Sequence, residues 1–308
     1  MLADILPMIF AVLDHLALAL MCALAVAALW TSPSATHDEN LRRTRLLIVL
    51  LVVTFITACV ELWLRAAVMA DVNLAEAWSF MPKVLSRSDY GYYWCIRIAA
   101  WSILVATSIW ILHRGWRLYP SSLLLLSTLL VIILKSTNSH AGEEGMYSIP
   151  NLINWVHLIS TYLWGGMVIV YAILVLPMLV KQSASLRLSC AIEHLSTMAA
   201  IALAIVLATG TYNAWHQMNA LSDIWLTGYG QVLAVKLVCV SLMILIGSLN
   251  RFLWVPQLLA WIQDNNHQWG PPGHHFLKIL KLDSLVFVTV LIAAVVLGTE
   301  PPPAHGIK

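Results

Sequence analysis

Two histidines lie inside long apolar runs of this sequence, where polar side chains are costly and usually functional. His15 lies near the start of the first run and His157 near the start of the fifth, in the similar contexts of residues 13–16 and 155–158. Imidazole nitrogens bind copper and several other metals, and they also hold haem iron. The two positions therefore predict a ligand site within the apolar part of the chain.

A second pattern adds two cations to these histidines. A tyrosine–glycine pair followed six residues later by a cation occurs at residues 90–97, which end in Arg97, and again at residues 229–236, which end in Lys236. Each copy opens a long apolar run. Because a cation and a histidine recur at similar places, the sequence predicts that the chain contains an internal repeat of two similar halves.

Composition decides the class of protein. Hydrophobic residues make up 60% of the 308 residues, charged residues only 10%, and the mean hydropathy is +0.82, which predicts an integral membrane protein. The net charge of +2 excludes an electrostatic nucleic-acid-binding surface. The five cysteines form no CxxC pair, so a disulfide framework is not expected. No cleavable signal peptide is expected either, because the first apolar run lacks a basic segment before it and is long enough to span.

The apolar runs predict an all-α integral membrane fold with eight transmembrane helices. They cover residues 5–30, 46–70, 91–112, 118–135, 151–180, 198–216, 230–249 and 282–299. A ninth apolar piece, residues 252–262, is too short to span and contains Pro256, so we expect it to lie along the membrane surface.

The distribution of basic residues predicts the orientation. The loops after the first, third, fifth and seventh helices carry ten Lys and Arg residues, and the opposite side carries four: Lys83, Arg87, Lys135 and Lys308. Both termini are therefore predicted to be periplasmic in a bacterial inner membrane. An even number of spans per half then predicts two parallel four-helix repeats, residues 1–145 and 146–308, the second with a cytoplasmic loop at 250–281.

This orientation gathers the polar residues of the spans in the outer half of the membrane. They are His15, Glu61, Arg65, Arg97, His157, Thr209, Asn213, His216 and Lys236. Together they predict a polar pocket that opens outward, with Arg97 and Lys236 facing Glu61 or other acceptors. Other interpretations stay open. Glu61 and Arg65 are four residues apart and could neutralise each other, the two cations could extend to the headgroups, and each histidine could be a hydrogen-bonded packing residue.

Predicted loops at the outer side add possible metal ligands. His140, Glu143 and Met146 lie between the fourth and fifth helices, and His216 and Met218 end the sixth. Imidazole and thioether groups together suit copper, since Cu(I) prefers sulfur and Cu(II) prefers nitrogen and oxygen. The spacing of these residues along the sequence does not match a closed zinc site. On the cytoplasmic side, residues 264–275 contain three histidines (His267, His274 and His275) in a turn-rich segment. We interpret it as a solvated loop, and binding of metal that leaves the pore is the alternative.

Several classes of protein have no support in the sequence. It contains no nucleotide-binding fingerprint and no zinc-protease helix, so we expect neither a nucleotide cofactor nor enzymatic activity. A membrane b-type cytochrome stays an alternative, with His15 and His157 as the axial ligands of one haem. A scaffold or sensor that binds no metal is a third possibility.

The second half also resembles a known family. Short motifs at residues 155–158, 164–166, 208–212, 229–237, 249–256 and 297–302 occur in the order seen in the bacterial copper-resistance D family (CopD/PcoD). The first half resembles it less, because Asp14 stands where the family has an arginine ahead of the first histidine. The resemblance implies an eight-helix inner-membrane protein that passes copper between periplasm and cytoplasm, alongside a periplasmic copper-binding partner of the CopC type. Together, the polar residues of the spans and the outer loops predict His15, His157, His216, His140, Met218, Met146 and Glu61 as the metal-binding residues.

Overall fold

The structure is a computed structural model that describes residues 2–31, 35–136, 145–182, 185–264 and 269–303. Within those ranges, eight helices are long and apolar enough to cross a membrane, as the hydropathy predicted. They are α1 (Leu2–Thr31), α2 (His37–Ala70), α3 (Asp89–Arg114), α4 (Leu118–Ser136), α5 (Ile149–Lys181), α6 (Ser185–Gln217), α7 (Gly228–Asp264) and α8 (Gly270–Leu297). We name the end where α1, α3, α5 and α7 begin the outer end, after the predicted orientation, and the opposite end the inner end.

The helices α5 and α7 each contain one wide π-helical turn, Tyr171–Val175 and Asn250–Trp254. Each turn is followed two residues later by a proline, Pro177 or Pro256. A proline inside a helix has no N–H to donate and clashes with the carbonyl four residues before it. A π turn at that place moves the backbone aside and lets the helix continue.

This continuation corrects two predictions. The apolar piece at residues 252–262 is not a separate surface segment, because it forms the last part of α7. The predicted loop at 250–281 is largely helical, since α7 runs to Asp264 and α8 begins at Gly270. Residues 265–268, including His267, lie outside the described residues.

The two tyrosine–glycine motifs form the same local structure at the outer end. A short helix precedes each motif: Met81–Arg87 before α3 and Asp223–Leu226 before α7. Ser88 Oγ then accepts a hydrogen bond from the N–H of Gly91 at 3.0 Å, and Thr227 Oγ1 accepts one from Gly230 at 3.0 Å. Both are N-caps that satisfy an otherwise unpaired helical N–H. A Cβ on either glycine would overlap the backbone of the short helix, so the close approach requires glycine.

The helices α1 and α5 form the centre of the bundle. The middle of α1 is almost fully buried from Ala17 to Ala28, and α5 is buried from Trp164 to Leu176 except at Ile173. The two helices run side by side in the same direction, and Gly166 of α5 contacts the carbonyl oxygen of Ala19 on α1. The other helices surround this pair and leave large apolar side chains exposed on the outside. Such a surface suits lipid, which accepts apolar side chains but not unpaired backbone groups.

Candidate functional site

A buried ion cluster joins the first four helices. It consists of Asp14 on α1, Glu61 on α2, Arg97 on α3 and Lys135 on α4. Lys135 Nζ lies 2.9 Å from Glu61 Oε1 and also forms an ion pair with Asp14, while Arg97 Nη2 lies 2.9 Å from Glu61 Oε2. The Arg97 contact is a charge pair without hydrogen-bond alignment. Two acids and two cations cancel one another, which is how charged groups persist in a low-dielectric interior.

A hydroxyl completes the surroundings of Asp14. Thr57 on α2 donates a hydrogen bond to Asp14 Oδ1 at 2.7 Å. Both oxygens of Asp14 are thereby engaged, one by Thr57 and one by Lys135. The sequence resemblance drew attention to Asp14 only because an arginine was expected nearby. The structure shows that Asp14 is a buried partner of a cation.

The cluster confirms one prediction and corrects two others. Arg97 faces Glu61, as expected. The alternative pairing of Glu61 with Arg65 is wrong, because Arg65 is exposed and lies over the ring of Tyr90 at 5.5 Å from its centroid. Lys135 was counted with the outer loop, but its side chain is 13% exposed and lies between two carboxylates. Lys135 ends an apolar run, and the sequence does not show whether a lysine at such a place belongs to the loop or is buried in the bundle.

The imidazole of His15 lies between α1 and α5. Its Nδ1 forms a hydrogen bond with the hydroxyl of Tyr162, and the two rings meet edge to face at 5.8 Å between centroids. Tyr162 is fully buried, so this polar contact is removed from solvent. No signal in the sequence pointed to Tyr162, because tyrosine is common in apolar helices.

The imidazole of His157 is held in one tautomer by α6. Its Nδ1 lies 3.0 Å from Thr209 Oγ1, and that hydroxyl donates its only proton to the carbonyl of Ile205 at 2.6 Å. With the Thr209 proton on that carbonyl, Nδ1 is the donor toward Thr209, and this tautomer leaves the lone pair of Nε2 available. A Cβ at Gly210 would lie 3.1 Å from Cε1 of this ring, so Gly210 provides the space in which the imidazole sits.

Lys236 on α7 lies within electrostatic reach of both His15 and His157. Its ammonium has no hydrogen bond or ion pair with any residue in the described part of the chain. The expectation that Lys236 would face an acidic acceptor is therefore not met. Arg97 of the first tyrosine–glycine motif thus pairs with Glu61, whereas Lys236 of the second motif lies within electrostatic reach of two imidazoles.

The remaining predicted ligands lie nearer the outer end. His216, at the end of α6, stacks on Tyr212 with ring centroids 5.9 Å apart. Met218 packs against a small apolar cluster that includes Tyr229, and Met146 packs against the larger core around α1 and α5. His140 and Glu143 lie outside the described residues. Within the described ranges, no group of three or more His, Cys, Asp or Glu side chains is close enough to hold a metal ion.

His274 and His275, from the predicted cytoplasmic loop, both contact groups of α7 or α8. His274 Nδ1 is 2.8 Å from the carbonyl oxygen of Gly270 in the first turn of α8. His275 packs edge to face against Trp254, with ring centroids 5.5 Å apart. This second contact fixes the register of α8 along α7.

Eight membrane-spanning helices around an ion cluster and two partly buried imidazoles define an all-helical, multi-pass membrane protein. Two family models match the chain: "Copper resistance protein D-like, N-terminal domain" over residues 1–149 and "Copper resistance protein D" over residues 190–297. The chain belongs to the copper resistance protein D family.

Two relatives agree with this assignment. The chain is 26% identical over 233 residues to "Copper resistance protein D" of Pseudomonas syringae pv. tomato, an alignment that covers 74% of this chain and 73% of that protein. It is 21% identical over 252 residues to "Copper transport protein CutJ" of Bacillus subtilis (strain 168), covering 79% of this chain but only 43% of that protein. No solved structure matches the chain significantly. The names describe copper resistance and copper transport, and none describes a haem protein or an enzyme.

Proposed function

We propose that this protein moves copper between periplasm and cytoplasm across a bacterial inner membrane, through a pocket that opens at the outer end. The observation that carries the proposal is the partly buried imidazole of His157, whose contact with Thr209 through Nδ1 leaves Nε2 to bind a metal between apolar helices of a copper-resistance family member. A neutral imidazole is a good copper ligand, and orientation through the other ring nitrogen is the usual arrangement at metal sites.

A series of weak ligands along the outer half would let a cation exchange its water step by step. The proposed ligands are His140, Glu143, Met146, His216 and Met218 near the outer end, then His157 and His15 deeper in the bundle. From the contact of Ala19 with Gly166, residue 157 is level with residue 10 of α1. His15 therefore lies about 7 Å deeper than His157 at 1.5 Å per residue. This order places His157 before His15 on an inward route.

Glu61 enters this proposal in a different way from the imidazoles. Both of its oxygens face cations, so a copper ion at Glu61 would have to share the carboxylate with Arg97 or Lys135. We infer that its main contribution is to hold these two cations away from the copper route. Lys236 would repel an approaching cation unless it lost its proton or moved, so it sets an electrostatic barrier beside the imidazoles.

We further propose that the halves 1–145 and 146–308 are parallel repeats with both termini periplasmic. The parallel contact of α1 with α5 supports this, because these are the first helices of the two halves. The matched caps of α3 and α7 support it as well, since these are the third helices. A periplasmic copper-binding protein of the CopC type would then deliver or receive copper at the outer end. Family resemblance supports this partner.

Copper binding by the purified protein tests the proposal. Titration of the protein in detergent with Cu(I) and with Cu(II), each against a competing chelator, should show tight binding of one of them that is lost in His157→Ala. His113→Ala removes an exposed imidazole from the end of α3 and serves as the matched control. Equal copper affinity in wild type and His157→Ala would contradict the role of His157.

A further inference from the structure

Asp283 is a carboxylic acid in the middle of α8 that lies outside the proposed copper pocket. Its side chain is buried, with the residue only 3% exposed, and its Oδ1 has no hydrogen-bond partner. No residue in the described part of the chain forms an ion pair with it. An ionised carboxylate without a partner is very costly in hydrocarbon, whereas a protonated one is tolerated. The sequence pattern did not draw attention to this residue, because it lies near the start of a long apolar run.

The packing of α8 on α5 shows what Asp283 faces. The ring of Phe287 fills the space beside Gly165, and Asp283 lies one helical turn before Phe287 on the same face of α8. The two helices run in opposite directions, so Asp283 is level with residue 169, just before the π turn Tyr171–Val175. This turn contacts α8.

Two more buried oxygens without partners belong to residues whose levels along the bundle lie inward of the level of Asp283. They are the hydroxyl of Tyr171, which is fully buried, and Oδ1 of Asn250, whose residue is 9% exposed. Both belong to π turns that contact α8. The ring contact of Trp254 with His275 places Asn250 about 6 Å toward the inner end from Asp283 at 1.5 Å per residue. Polar groups that are unsatisfied in this way, on π turns, are typical of functional positions.

No cation faces Asp283 from the elements packed against it. Their titratable or charged groups nearest this level are Cys22 on α1, Tyr171 on α5, Cys239 and Arg251 on α7, and Lys278 and Lys281 on α8 itself; His274, His275 and Asp264 lie nearer the inner end. Cys22 is buried, while Lys278, Lys281 and Asp264 are exposed. Arg251 donates to the carbonyl oxygen of Ser196 on α6 at 2.7 Å and is thereby directed away from α8.

A small cavity lies beside the last residues of the π turn Tyr171–Val175. Its volume is about 10 Å³, and its lining includes Leu174 of the π turn and the buried polar residues Thr31, Glu39 and Arg43. That is about the space one water molecule needs. Glu39 in turn forms an ion pair with Arg187 at 3.0 Å at the inner end of the bundle. Buried polar groups thus occur at several levels of the bundle between Asp283 and the inner end.

We propose that Asp283 is a proton-binding site in the inner half of the bundle. Its carboxyl group holds one proton at neutral pH, and the O–H bond breaks when water or another acceptor reaches it, leaving a carboxylate and a protonated acceptor. Tyr171 and Asn250 are the hydrogen-bonding groups nearest the path of that proton toward the inner end. The site does not require copper, and it would give a copper transporter a proton to exchange for its cargo.

Infrared spectroscopy of the full-length protein in lipid nanodiscs tests the site without copper. A protonated carboxylic acid gives a carbonyl band above the amide I band, which shifts in heavy water. Wild type should show this band at neutral pH, Asp283→Asn should lose it, and Asp283→Glu should move it. Asp264→Asn, which removes an exposed carboxylate from the end of α7, should leave it unchanged.

Absence of the band from wild type, or its survival in Asp283→Asn, would overturn the proposal. If Asp283→Asn does not fold by circular dichroism, Asp283→Glu decides: a moved band supports the site, and an unmoved band overturns it. Loss of the band on adding Na⁺ or K⁺ at constant pH would show that the metal cation displaces the proton from this carboxylate, and it would overturn the assignment as a proton site. None of these outcomes depends on copper binding, so the proton site and the copper proposal stand or fall separately.

Discussion

Lys135→Met should destabilise the protein strongly, because it removes the cation shared by Asp14 and Glu61. Asp14 would keep only the hydrogen bond from Thr57, and Glu61 would keep only its contact with Arg97. Removing one partner of a buried ion pair costs about 3–5 kcal/mol. The side chains of the cluster keep between 8% and 20% exposure, so the lower end of this range, about 3 kcal/mol, is expected.

A second substitution separates the charge effect from the loss of side-chain packing. Asp14→Asn combined with Lys135→Met again leaves equal numbers of acids and cations, and the Asn oxygen can still accept from Thr57. The double variant should recover about 2 kcal/mol relative to the sum of the single changes, a typical coupling for groups in one network. Reversible unfolding in mixed micelles, followed by circular dichroism, measures each free energy of unfolding.

The control is Lys181→Met, which removes an exposed lysine at the end of α5 and should change stability by no more than about 0.5 kcal/mol. A loss below about 1 kcal/mol for Lys135→Met would mean that the pair behaves like an exposed salt bridge. Strict additivity in the double variant would mean that Asp14 and Lys135 do not interact. Either result would refute the reasoning about the ion cluster.

Three further changes have defined outcomes. Gly230→Ala should lower the free energy of unfolding by about 1–3 kcal/mol in the same assay, because the added Cβ overlaps the backbone of Asp223. Gly247→Ala is the control and should cost nothing, since the space around its Cβ is open. Equal effects of the two changes would contradict the close approach at Gly230. Tyr162→Phe removes the hydrogen bond to His15 and should weaken copper binding by about 10-fold in the chelator titration, and an unchanged affinity would remove His15 from the route. A reporter enzyme fused after Lys308 should be active only as a periplasmic fusion, and cytoplasmic activity would invert the proposed orientation.

The number and positions of the spanning helices were predictable, because lipid imposes a length and an apolar composition that are read directly from the sequence. The ends of α7 and α8 were not. A proline such as Pro256 normally interrupts a helix. The π turn Asn250–Trp254 lets α7 continue past it. Hydropathy carries no signal for such a turn.

The candidate site was predictable in its residue types but not in its pairings. Buried histidines and the contact of Arg97 with Glu61 followed from the cost of polar groups in hydrocarbon. The pairing of Asp14 with Lys135 joins residues 121 positions apart, and no periodicity connects them. The tautomer of His157 depends on Thr209 of another helix, which only the packed structure brings within 3.0 Å.

Uptake of radioactive copper into proteoliposomes tests most directly whether the buried imidazoles carry copper across the membrane. Wild-type protein should load copper into the vesicles faster than empty liposomes do, and the double variant His15→Ala with His157→Ala should reduce the rate to that of empty liposomes. The exposed-histidine control His113→Ala should match wild type. If the double variant inserts normally and transports copper at the wild-type rate, the imidazoles are packing residues and the proposed route is wrong.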